Sequence, residues 1–160
     1  MSFQSIGERR EVPANVPPEV LARARADIQL AAPPDEVWAL IGGFGSLRDW
    51  MPYIPRLELN EGGRVRRLAT PGGMQIIERL LTFDQAGRSY SYTIVQSPIA
   101  VTNYLSTLRV KGIAAGNWSR VEWFGEFMPD GIGATEATAI FRRIYEDGLM
   151  SLCLHYTHPA

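Results

Sequence analysis

One stretch, residues 135–156, carries helical periodicity sustained over about six turns, and a helix of that length dictates what the rest of the chain must cover. Ala137, Ile140, Phe141, Ile144, Tyr145, Leu149, Leu152 and Tyr156 recur at three- and four-residue spacing, while Arg142, Arg143, Glu146 and Asp147 gather on the opposite face. At about 1.5 Å per residue the segment is a rod of about 33 Å, as long as a small domain is wide. Gly131 and Gly133 separate it from the strand before it, and Thr135 with Glu136 offers an oxygen cap and an acid at the positive end of the helix dipole. Gly148 falls in mid-helix, where it costs about 1 kcal/mol relative to Ala, so close packing or room for a ligand must require its missing side chain.

The 160 residues fit one domain with a core of its own. A hydrophobic fraction of 46% against 21% charged residues excludes wholesale disorder. Formal net charge is −1 and the arginines are scattered, which argues against nucleic acid as a partner. Cys153 is the single cysteine and cannot form an intrachain disulfide; it reads as a small core-facing residue of a protein in a reducing, cytoplasmic setting. No run of about 18 apolar residues is present, so no membrane span is expected, and the N-terminus lacks the apolar core of a signal peptide. His155 and His158 have no Cys, Asp or Glu beside them at ligand spacing; neither a metal nor another cofactor is expected.

Pro13, Pro17 and Pro18 mark residues 1–21 as an irregular arm before a single domain over residues 22–160. From Ala22 small apolar residues alternate with Arg23, Arg25, Asp27 and Gln29, the pattern of a half-buried strand. Two short helices follow, one after Pro33 and Pro34 that ends at Gly42 and Gly43, the other carrying Phe44, Leu47 and Trp50 and closed by Pro52. Further strands are expected near residues 54–59, 65–69, 74–83, 89–96, 101–110 and 117–128, with turns at Glu61-Gly62-Gly63 and Pro71-Gly72-Gly73. Successive hairpins and a terminal helix predict an α+β domain: a curled seven-stranded antiparallel sheet around the long C-terminal helix, with the two short helices after strand 1. A curled sheet gripping a rod leaves a groove or cavity, and its default occupant is an apolar small molecule.

The order of these elements, with Ala32-Pro33-Pro34-Asp35-Glu36-Val37-Trp38, residues 44–52, Ser91-Tyr92-Thr93-Ile94 and Gly148-Leu149, resembles the START-like, or Bet v 1-like, superfamily (SRPBCC), in its bacterial polyketide cyclase/dehydrase and lipid-transport type. The resemblance covers residues 22–156 and implies a helix-grip fold with a hydrophobic cavity for lipids, polyketides, sterols or hormones. Similarity to the plant abscisic acid receptors of the same superfamily implies a polar set of Glu78, Tyr104, Ser106 and Glu122, an apolar lining of Tyr92, Ile94, Ile140, Ile144 and Gly148, a gate at Pro71, Gly72 and Gly73, and a latch at Ile99, Ala100 and Val101. Met51 stands where those receptors place the lysine that meets the hormone carboxylate, so abscisic acid itself is not implied. Strand parity agrees for Glu78, which shares a face with Met74, Ile76 and Leu80, and for Tyr104 and Ser106, which share one with Leu108 and Val110. For Glu122 parity points the other way, because Val121, Trp123 and Phe127 claim the inner face, and the two readings stay open.

The favoured function is binding of a hydrophobic small molecule, as carrier or sensor, with the polar set orienting one group of the ligand. An alternative is a cyclase, dehydratase or isomerase in which Glu78, its pKa raised by burial, is the base and Tyr104 steadies an enolate oxygen. A second alternative is a non-catalytic interaction module with a filled core. The sequence is also compatible with a homodimer. Arg56, Arg66 and Arg67 read as solvated strand residues.

Overall fold

Alternation of small apolar and charged residues gives the first strand one dry face, and the structure, a computed structural model that describes residues 21–157, realises it as β1 (Ala22–Leu30) with Ala22, Ala24 and Leu30 buried. Apart from Leu21, the arm expected over residues 1–21 lies outside the described residues, as does His158. Proline at its first position and Asp35 and Glu36 in its first turn start α1 (Pro34–Ile41), which ends where the Gly42 N–H donates to the Trp38 carbonyl at 2.7 Å. A Cβ at Gly42 would stand 2.6 Å from the Trp38 ring, so the stop and the packing use the same glycine. The single turn α2 (Leu47–Trp50) follows and buries Leu47 and Trp50.

Six strands come next: β2 (Arg56–Asn60), β3 (Val65–Ala69), β4 (Gln75–Asp84), β5 (Ser89–Gln96), β6 (Val101–Ile113) and β7 (Trp118–Pro129). With β1 they form one antiparallel sheet in the order β1-β7-β6-β5-β4-β3-β2, each strand paired to its chain neighbour except β1, which closes on β7. The β2 strand starts two residues later than expected, because Ile54 turns inward to the core with its N–H on the Met51 carbonyl. Register shifts interrupt β4 at Ile77/Glu78 and Leu80/Thr82 and β6 between Thr102 and Leu105, where Asn103 takes a φ of 51°. Such bulges sharpen twist and bend, and the sheet curls accordingly.

The last helix, α3 (Ala134–Thr157), lies inside the curl, packed against β1, β7 and α2. It begins before the expected cap: Ala137 N–H donates to the Gly133 carbonyl, so Thr135 sits within the first turn. Ala137, Phe141, Tyr145, Leu149 and Leu152 are buried on its inner face, as the periodicity requires. The arrangement is the helix-grip fold. Because α3 leans on β1 and β7, the half of the sheet made by β3, β4 and β5 stands off it, and the gap is a cavity.

Candidate functional site

The cavity has a volume of about 590 Å³. Its walls are mostly apolar: Leu68 and Ile76 from β3 and β4, Ile94 from β5, Met51 and Ile54 from the segment after α2, and Phe141 and Ile144 from α3. At its rim stand Tyr53, Pro71, Met74, Met150 and Leu154, all exposed, so the mouth is itself greasy. Polar groups are few; those deep in the cavity come from residues that alternation turns inward, Arg66, Glu78, Tyr92, Tyr104 and the Trp123 indole, while Thr70, Asp147 and Ser151 add polar atoms elsewhere in the lining.

Arg66 and Glu78 are opposite one another across the β3–β4 ladder. Arg66 donates from Nε and Nη2 to a single carboxylate oxygen, Glu78 Oε2, at 2.9 and 2.6 Å, and from Nη1 to the Phe44 carbonyl at 3.1 Å and the Tyr90 hydroxyl at 3.3 Å. Its guanidinium lies 4.1 Å from the Phe44 ring centroid and 4.7 Å from that of Tyr92. Burial opposes the charged form, but Glu78 and the hydroxyls of Tyr90 and Tyr92 outweigh it and hold the Arg66 pKa above its ordinary value. Glu78 Oε1 takes part in no hydrogen bond among the described residues.

Beyond this pair a chain of hydroxyls crosses the floor. Trp123 Nε1–H is shared between the Tyr92 hydroxyl at 3.0 Å and Ser106 Oγ at 3.1 Å, Ser106 donates to the Phe124 carbonyl, and the Tyr104 and Tyr145 hydroxyls bond to each other. Burial first, then neighbouring acidic groups, raise the pKa of Tyr92 and Tyr104 well above the usual phenol value, and burial pushes Tyr145 up to about 12. All three are neutral hydroxyls at physiological pH. The arrangement can hold one polar group of an apolar molecule between an acceptor, Glu78 Oε1, and phenolic O–H groups.

The expected residues divide. Glu78, Tyr92, Ile94, Tyr104 and Ile144 line the cavity, as does Pro71 of the gate. Ser106 is buried behind the lining and accepts the Trp123 indole N–H. Gly148, Ile140, Gly72, Gly73, Ile99, Ala100 and Val101 do not line the cavity. For Gly148 the reason is contact: a Cβ would lie 2.6 Å from Trp123 Cζ3 and 3.2 Å from Met51 Cε, so close packing, not ligand room, explains the glycine. Ile140 lies a residue off the buried stripe of α3.

Two carboxylates are corrected. Glu122 faces away from the cavity, on the outer side of β7, yet it is only 2% exposed because Arg109, Arg25 and Lys111 close over it at 2.6, 3.5 and 3.5 Å. Parity decides its direction, and cation pairing replaces the solvent that parity alone would supply. Glu78 is not the isolated acid in an apolar pocket that the cyclase alternative supposes, since Arg66 is bonded to it. Arg66 itself, expected to be solvated, is 1% exposed. Its signal was available: it shares a face of β3 with Leu68, and closing the hairpin around Thr70–Met74 sets it opposite Glu78. Among the described residues no group of three or more His, Cys, Asp and Glu is placed to hold a metal, and no helix is long and apolar enough to cross a membrane.

A family model described as polyketide cyclase / dehydrase and lipid transport matches residues 22–153. The protein XoxI of Bacillus cereus superposes with a TM-score of 0.82 at 48% identity, over 85% of this chain and 96% of that one. An uncharacterised protein of Bacillus thuringiensis does so with a TM-score of 0.82 at 46% identity, over 86% of this chain and 100% of that one. The Zhui aromatase/cyclase of Streptomyces sp. R1128 shares the fold, with a TM-score of 0.66 at 19% identity over 82% of this chain and 88% of that one. Among curated proteins none matches.

Proposed function

This chain belongs to the polyketide cyclase / dehydrase and lipid transport family, and from that premise we propose that it binds one hydrophobic small molecule, such as a lipid or a polyketide, inside the cavity between α3 and the sheet. The observation that carries the reading is the cavity itself: about 590 Å³ of mostly apolar space, open at a rim of Tyr53, Met74, Met150 and Leu154. A module with a filled core would have no such space. Glu78, Tyr92 and Tyr104 orient the ligand's polar group, and Ile94 and Ile144 contact its apolar body. Pro71 stands at the entrance.

The cyclase or dehydratase alternative draws on the family's description and on the Zhui aromatase/cyclase, whose fold this chain shares. It is less favoured here because the carboxylate it needs as a base is already engaged by two N–H donors of Arg66. Native mass spectrometry of the protein purified from its own host, followed by extraction, tests the binding reading. A co-purifying apolar molecule at one per chain is expected. A chain that is empty as isolated and also fails to take up a neutral solvatochromic dye such as Nile red would sink it.

A further inference from the structure

Among the described residues the cavity is lined by one cation, Arg66, and that cation is engaged internally. A guanidinium has five N–H donors. Two of Arg66's are on Glu78 Oε2, and Nη1 serves both the Phe44 carbonyl and the Tyr90 hydroxyl, which leaves a single Nη2 hydrogen uncommitted. The Phe44 and Tyr92 rings lie within 4.1 and 4.7 Å of the guanidinium carbon. Against this one cation stand two acids of the lining, Glu78 at the floor and Asp147 at the mouth, the latter paired only loosely with the exposed Arg143 at 3.9 Å. The field of Asp147 is felt there: after burial, it is the second cause that pushes the Tyr53 hydroxyl up to about 12.

Resting on the reading that the cavity is a binding site, we propose that the Arg66–Glu78 pair and Asp147 make it select uncharged, hydroxyl-bearing apolar molecules and reject carboxylates of the same shape. An entering carboxylate passes Asp147, gives up its water, and meets at the floor a carboxylate oxygen and a guanidinium with four of its five donors already taken. A hydroxyl meets complementary partners instead. It donates to Glu78 Oε1, the oxygen that Arg66 leaves free, and accepts from a phenol: Tyr92, whose oxygen accepts from Trp123 and whose O–H can turn to the ligand, or the member of the Tyr104–Tyr145 pair that does not donate to the other. Arg66 is thus a positioning residue. It fixes Glu78 with Oε1 toward the ligand, and by neutralising it lets an acceptor persist in an apolar room.

The test uses a matched pair on one skeleton, 2-naphthol and 2-naphthoate, as competitors of Nile red bound to the intact chain at pH 7. Naphthol is expected to displace the dye at a concentration lower than naphthoate by about ten-fold or more. Asp147→Asn, an exposed substitution that leaves the fold alone, is expected to narrow the gap, and Glu78→Gln to narrow it further. Naphthoate displacing the dye as well as naphthol, or neither displacing it, overturns the selection while the cavity stands as a binding site. Failure of Nile red to bind a chain that is also empty as isolated overturns both readings.

Discussion

Gly148 shows how much one missing methyl can decide. In an exposed helix Gly→Ala gains about 1 kcal/mol, yet here the added carbon would press on Trp123 Cζ3 at 2.6 Å and on the Met51 thioether at 3.2 to 3.3 Å. Met51 can yield; the Trp123 ring, held by Tyr92, Ser106 and the stacked Tyr145 ring 5.0 Å away, cannot. Gly148→Ala is therefore expected to lower stability by about 1 to 2 kcal/mol in a urea titration, and a stabilised variant would show that Trp123 is free to move. The glycine's oddity was legible in the sequence, but its cause was not, because Trp123 is 25 positions away and on another element. Arg66 was hidden for a different reason: composition treats arginine as a surface residue, and burial becomes affordable only when Glu78, Phe44 and Tyr90 arrive together from three other segments.

Elements were easier to read than contacts, since helix α3 and the seven strands follow from periods of 3.6 and 2 that need no partner. What periodicity does not carry is the bulges in β4 and β6, which depend on how neighbouring strands fit, and with them the curvature that opens the cavity. The same strands explain Glu122. It is opposite Arg109 on β6 and Asp27 on β1, with Arg25, Lys111 and Arg120 also on this outer face. Burial works to raise its pKa, but the hydrogen bonds and charge of Arg109, then Lys111 and Arg25, prevail and lower it. A folded-state pKa below the unfolded one means that the group stabilises the fold above the unfolded value, near 4.5, and that this contribution is lost as pH falls through the folded value. Glu122→Gln should then cost about 1 to 2 kcal/mol at pH 7, a modest figure because its cationic partners are 35 to 58% exposed, and should flatten the decline of stability below pH about 4.5. Thermal midpoints from pH 7 to 3 check this; parallel profiles for the two proteins would mean that the cluster contributes nothing.

At the scale of the whole molecule, a cavity of about 590 Å³ inside a 160-residue domain is a standing cost, because its lining residues lack the neighbours that a packed core would give them. Sequence reasoning reached the expectation of such a space from a curled sheet gripping a rod; it could not size the space, which depends on where α3 leans. That cost supplies a test that separates a binding cavity from imperfect packing. Ile144 projects from α3 into the space, and Ile144→Phe adds an apolar ring that can occupy it. At about 25 cal/mol per Å² of apolar surface removed from water, the substitution is expected to raise stability by about 1 kcal/mol. A ligand that binds only the folded state raises it by about 2.7 kcal/mol at a hundred times its dissociation constant, and in Ile144→Phe that increment should shrink to near zero because the space is taken. Gain of intrinsic stability together with loss of the ligand-dependent shift is the outcome that a binding cavity demands. A variant that is destabilised and still shifts with Nile red would place the ligand elsewhere on the molecule.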